Sequence, residues 1–122
     1  MANISINIDG GGVTALLSED VSAEANDDVK LFAKICLEGI LLYTKKNHDY
    51  GNSFNKGMEA IGDAYGVGRI FDKCNRLVSL CNKENSAKVD ESYDDTLIDL
   101  ACYSIMMLAY RRSHKEQCIN FE

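Results

Sequence analysis

No proline interrupts this chain of 122 residues. Proline is the strongest break a helix can meet, because it lacks an N–H donor and clashes with the preceding turn. Its absence permits long helices wherever apolar residues fall at helical spacing. Val29, Phe32, Ala33, Cys36, Ile40 and Tyr43 fall in steps of three and four, with one step of one, which predicts an amphipathic helix. Asn26, Asp27 or Asp28 can cap its start, and Lys45 and Lys46 suit its negative end. The run His48–Asn52 breaks the period, and Ser53 then opens a second helix with Phe54, Met58, Ile61 and Tyr65, closed by Gly66 and Gly68. A third helix is expected from about Arg69 to Cys81, with Ile70, Cys74, Leu77, Val78 and Cys81 inward. After a polar loop, Asp90 or Ser92 caps a fourth helix that reaches about Arg112. That helix is apolar nearly all round from Leu97 to Ala109, which predicts a central element buried on several sides.

The N-terminal residues follow a different period. Asn3, Ile4, Ser5, Ile6, Asn7 and Ile8 alternate strictly, as a half-buried strand does. Asp9-Gly10-Gly11-Gly12 then suits a hairpin turn, and Val13–Leu17 returns. The same glycines after a strand could cradle a phosphate, but Val13-Thr14-Ala15 follows them where a phosphate loop has Gly-Lys-Ser/Thr. The fold class expected is therefore α+β: an N-terminal β-hairpin over about residues 3–17, then a bundle of about four α-helices over 27–113, in a single domain spanning 1–122.

Charge and cysteine usage limit the function classes. A net charge of −6 argues against a duplex DNA binder, which needs a basic field to neutralise phosphates. A small phosphorylated ligand needs only a local cationic pocket. The five cysteines are odd in number and contain no CxxC, so reduced thiols are expected, with Cys36, Cys74, Cys81 and Cys102 as small core residues and Cys118 near the end. No basic segment followed by an apolar stretch marks a secretory signal, and no apolar run is long enough to span a bilayer.

Three clusters carry the residues fit for recognition. Arg69, Asp72, Lys73 and Arg76 stand at i, i+3, i+4 and i+7 and share one helix face, which is locally basic. A guanidinium fork matches a phosphate, Phe71 offers a stacking surface nearby, and Asn75 adds a donor and an acceptor. The alternative is that the arginines pair with local acids and Phe71 is core. Asp95 and Asp99 share a face of the fourth helix and make half of a Mg²⁺ site, but the facing helix supplies only Glu38. Asp94 and Asp95 also suit the helix dipole, whereas Asp99, among apolar neighbours, needs a partner if buried, with Arg69, Lys73 or Arg76 as candidates. In His48-Asp49-Tyr50-Gly51, Tyr50 is a candidate pocket wall with Phe54, and a lone His in a turn is more often structural than catalytic. No nucleophile–base set and no complete metal set is present, so no catalytic residue, metal or cofactor is expected.

The segment KNHDYGNSF, the spaced Arg69, Asp72, Lys73 and Arg76, and the segment VDESYDDTLIDLACYSIMML together resemble the nucleotide modification associated domain family, over roughly residues 46–108. The short chain with an added N-terminal hairpin is similar to phage members of that family that counter Thoeris immunity. The resemblance implies a non-enzymatic sponge that sequesters a cyclic ADP-ribose isomer made by bacterial TIR proteins. It also implies a homo-oligomer built from dimers, up to a hexamer, in the host bacterial cytoplasm. The ligand set it suggests is Arg69, Phe71, Lys73, Asn75, Arg76, Asp95, Asp99 and Tyr50. A second site for cyclic oligonucleotides has Arg111 and Arg112 as candidates. The competing readings are a Mg²⁺-dependent all-α nucleotide pyrophosphatase or modification accessory enzyme, resting on Asp95 and Asp99, and a plain helical interaction module.

Overall fold

A computed structural model describes the backbone of residues 4–9, 12–17, 27–50, 52–84 and 86–120, and the side chains of 27–47, 52–84 and 86–115. Where side chains are described, the chain is 93% helical, with four helices and no strand among those residues. The fold class set by these helices is all-α, which corrects the expected α+β class. Ahead of the helices, the backbone segments β1 (Ile4–Asp9) and β2 (Gly12–Leu17) run antiparallel, Ile4 opposite Leu17 and Asp9 opposite Gly12. They make a ribbon of two strands only. Two strands do not form a layer able to carry a core. Alternation of Ile4, Ile6 and Ile8 speaks for local conformation, whereas fold class is set by the elements that bury apolar faces against one another.

By its contacts the chain divides between Lys46 and Asn47. The first part contains most of helix α1 (Asp27–Tyr50), which opens with Asp27 and Asp28 at its positive end. This helix continues through His48 to Tyr50, where a break was expected. Nothing in His-Asp-Tyr lacks a donor or forces positive φ, so weak periodicity alone does not end a helix. The side chains of His48, Asp49 and Tyr50 lie outside the described residues.

The second part holds α2 (Ser53–Ile61), α3 (Asp63–Cys81) and α4 (Ala87–Asn120). Asn52 precedes α2 in the left-handed region at φ 62°, which Asn tolerates better than most side chains. The break between α2 and α3 falls at Gly62, with φ 83°, and not at Gly66 and Gly68. Gly66 instead lies buried inside α3. A Cβ there would meet Met107 Sδ at 2.8 Å and Met58 Sδ at 3.1 Å, so side chains of α2 and α4 both pack on the α3 backbone at this glycine. Ser86 caps α4 by accepting the Val89 N–H at 3.1 Å, four residues ahead of the expected Asp90. The helix also runs on to Asn120, past the expected end near Arg112.

Phe54, Met58 and Leu80 are the buried apolar side chains among the described residues. Phe54 joins all three helices, with its ring 5.7 Å from Tyr65 of α3 and 6.0 Å from Tyr103 of α4. Several expected core positions face outward. Cys36, Cys74 and Cys81 are exposed and Cys102 is half-buried, while the Cys118 side chain lies outside the described residues. Val78 is also exposed. On α4, Leu97, Ile105 and Leu108 are 44%, 65% and 47% exposed, so the helix is not buried on several sides. Leu80, absent from the expected inward set of α3, is buried.

Candidate functional site

The polar face of α3 meets α4 through two cross-helix hydrogen bonds. Lys73 Nζ donates to Asp99 Oδ2 at 3.1 Å, which is the partner that a carboxylate in apolar surroundings requires. Arg76 Nε donates to Thr96 Oγ1 at 3.2 Å. Thr96 is 2% exposed, and its hydroxyl donates in turn to the Ser92 carbonyl at 2.6 Å. Arg69 pairs with Asp72 at 2.8 Å within α3, at an exposed position where such a pair contributes little.

These side chains surround an open cleft of about 300 Å³, lined by Arg69, Asp72, Lys73, Arg76 and Tyr103. Three cations stand against one carboxylate in this lining, in a chain whose net charge is −6. Tyr103 supplies the aromatic wall. Its ring leans on Phe54, and Lys73 Nζ lies 5.9 Å from its centroid. The Arg69 guanidinium lies 5.7 Å from the Tyr65 ring, so both cations sit within cation–π range of an aromatic anchored on Phe54. An anion would find charge-assisted donors here, and a planar ring would find Tyr103.

Of the residues proposed from sequence, Arg69, Lys73 and Arg76 line the cleft, and Asp99 holds Lys73 from behind. Phe71 is 62% exposed and does not line it. Adjacent helical residues point about 100° apart, so Phe71 cannot share the direction of Asp72. Asn75 and Asp95 are exposed and stand outside the lining, and the Tyr50 side chain is not described. Tyr103 and Thr96 were missed. The signal was available: Thr96, Asp99 and Tyr103 stand at steps of three and four on one face of α4.

Elsewhere on α4, Arg111 pairs with Asp63 of α3, Arg112 is exposed, and the Tyr110 and His114 rings stack at 3.7 Å. Among the described residues, no three His, Cys, Asp or Glu side chains group closely enough to hold a metal ion. Nor is any described helix long and apolar enough to cross a membrane.

No curated protein and no solved structure matches this chain. A family model described as nucleotide modification associated domain 1 matches residues 46–109, just over half of the 122 residues. That span covers α2, α3, the intervening loop and α4 as far as Ala109, and so takes in the whole cleft lining. The chain belongs to the nucleotide modification associated domain 1 family.

Proposed function

We propose that the protein binds a cyclic ADP-ribose isomer made by bacterial TIR proteins and sequesters it without degrading it, silencing Thoeris immunity during phage infection of the host. The observation that carries this reading is the cleft itself. Arg69, Lys73 and Arg76 converge beside the Tyr103 ring, and a pyrophosphate next to an adenine asks for that combination. Family membership supports a nucleotide ligand. Asp95 and Asp99 favour the rival reading, a Mg²⁺-dependent pyrophosphatase. Against it stands Lys73, whose ammonium lies 3.1 Å from Asp99 Oδ2 and would compete with a metal for that oxygen.

A sponge also needs affinity. Nanomolar binding corresponds to about −12 kcal/mol. A charge-assisted phosphate contact contributes roughly 1.5–3 kcal/mol and a stacked base roughly 1–3 kcal/mol, so one open cleft falls short. The protein therefore works as a homo-oligomer, in which other copies add contacts. Exposed apolar side chains on the face of α3 opposite the cleft support self-association. Val67, Phe71, Cys74, Val78 and Cys81 are all exposed on α3 and follow in steps of 4, 3, 4 and 3, the spacing of a helix–helix seam.

Titration calorimetry with TIR-derived cyclic ADP-ribose isomers tests the site. Wild-type protein binds tightly, and Tyr103→Ala and Arg76→Ala each weaken binding by about tenfold or more, in line with one lost stacking or charge-assisted contact. Unchanged binding in both variants would remove the cleft as the site.

A further inference from the structure

We infer that Thr96 is a positioning residue: its buried hydroxyl sets the direction of the Arg76 guanidinium, and so decides how well the cleft holds a phosphate. This rests on the proposed nucleotide site. Three cations line the cleft, but they are not equivalent. Arg69 has the Asp72 carboxylate at 2.8 Å and Lys73 has the Asp99 carboxylate at 3.1 Å. Among the described residues Arg76 has no carboxylate within ion-pair distance; its recorded contact is the neutral Thr96 hydroxyl. An incoming phosphate must compete with a carboxylate at Arg69 and Lys73, and meets no such competition at Arg76. Arg76 is therefore the cation whose charge is most fully available to a ligand.

The contact also uses a particular nitrogen. Arg76 donates through Nε, which leaves both terminal nitrogens for a phosphate. Holding Nε fixes the plane of a side chain that otherwise loses substantial rotamer entropy on binding. Thr96 can do this because it is fixed itself. At 2% exposure its hydroxyl gives its one proton to the Ser92 carbonyl, which leaves an oxygen lone pair facing Arg76. Serine keeps this oxygen and valine keeps the shape without it. Arg76 sits about one helical turn beyond Lys73, and Thr96 about one turn before Asp99, so the Arg76–Thr96 bond is the next rung after Lys73–Asp99 along the α3–α4 contact.

The test compares Thr96→Val, Thr96→Ser and Arg76→Ala in the full-length protein. Two readouts are used: calorimetric affinity for TIR-derived cyclic ADP-ribose isomers, and the ¹⁵N-detected Arg76 Nε–H resonance. The inference expects Thr96→Val to bind about tenfold more weakly and to lose the exchange-protected Nε–H signal, with Thr96→Ser restoring both. A merely structural threonine would lower the unfolding midpoint without moving the Nε–H signal or the affinity of the folded protein. If Arg76→Ala weakens binding and Thr96→Val does not, the positioning role is overturned while the site stands. If wild type binds none of these ligands, or Arg76→Ala binds as wild type, the site reading fails and the positioning role fails with it.

Discussion

Two glycines on neighbouring helices should respond to the same substitution with opposite signs. Gly57 lies in α2 and Gly68 in α3, and both are helical. Replacing glycine by alanine inside a helix stabilises it by about 1 kcal/mol, because less backbone entropy is lost on folding. At Gly68 nothing lies within 4 Å of an added Cβ, so the full gain of about 1 kcal/mol is expected. At Gly57 the Tyr65 ring covers the backbone, and the added methyl would stand 2.6 Å from its Cε2 and closer still to Cε1 and Cζ. The ring must move. Overpacking costs about 1–3 kcal/mol, and moving Tyr65 off Phe54, now 5.7 Å away, forfeits a further ~0.5–1.5 kcal/mol. Set against the helix gain, Gly57→Ala should lose about 2 kcal/mol net. Urea titrations followed by circular dichroism would show the Gly68→Ala midpoint above wild type and the Gly57→Ala midpoint below it, with unchanged slopes. A Gly57→Ala protein as stable as Gly68→Ala would refute the packing of Tyr65 over α2.

Gly62→Ala meets no atom within 4 Å but must hold φ 83° with ψ −155°, a region essentially reserved for glycine, so it should destabilise by about 1–3 kcal/mol in the same titration. Asp99→Asn removes the carboxylate that holds Lys73, lowering stability by about 1 kcal/mol while leaving Lys73 more available to an anion. Calorimetry should then give equal or tighter binding, whereas the pyrophosphatase reading requires a lost turnover. The α3 stripe is nearly symmetric about Cys74, so two copies packed antiparallel would bring their Cys74 residues together. Mild oxidation should give a covalent dimer that Cys74→Ser abolishes, and a monomer at every concentration would contradict the oligomer.

The cleft was more legible in the sequence than the fold around it. Arg69, Lys73 and Arg76 could be placed together because charge at i, i+4 and i+7 admits one helical geometry. The need of Asp99 for a cation followed from the cost of a carboxylate among apolar neighbours, and Lys73 answers it. Tyr103 shares a face with Thr96 and Asp99, but an aromatic in an apolar helix reads as core until the facing helix is known. Gly66 was misread for a related reason. A glycine can end a helix or admit a close neighbour, and only the arrival of Met107 and Met58 separates the two. The outward cysteines and the exposed face of α4 were unreadable in the same way. Apolar periodicity marks what is to be covered, and does not say whether the cover comes from the same chain.

The central claim is capture without chemistry, and recovery of the ligand tests it most directly. Purified protein is saturated with a TIR-derived cyclic ADP-ribose isomer in the presence of Mg²⁺, washed free of excess, heat-denatured, and the supernatant chromatographed. The account predicts the intact cyclic nucleotide, in a fixed ratio to protein chains. Linear ADP-ribose or AMP in its place would contradict it and move the chemistry to Asp95 and Asp99.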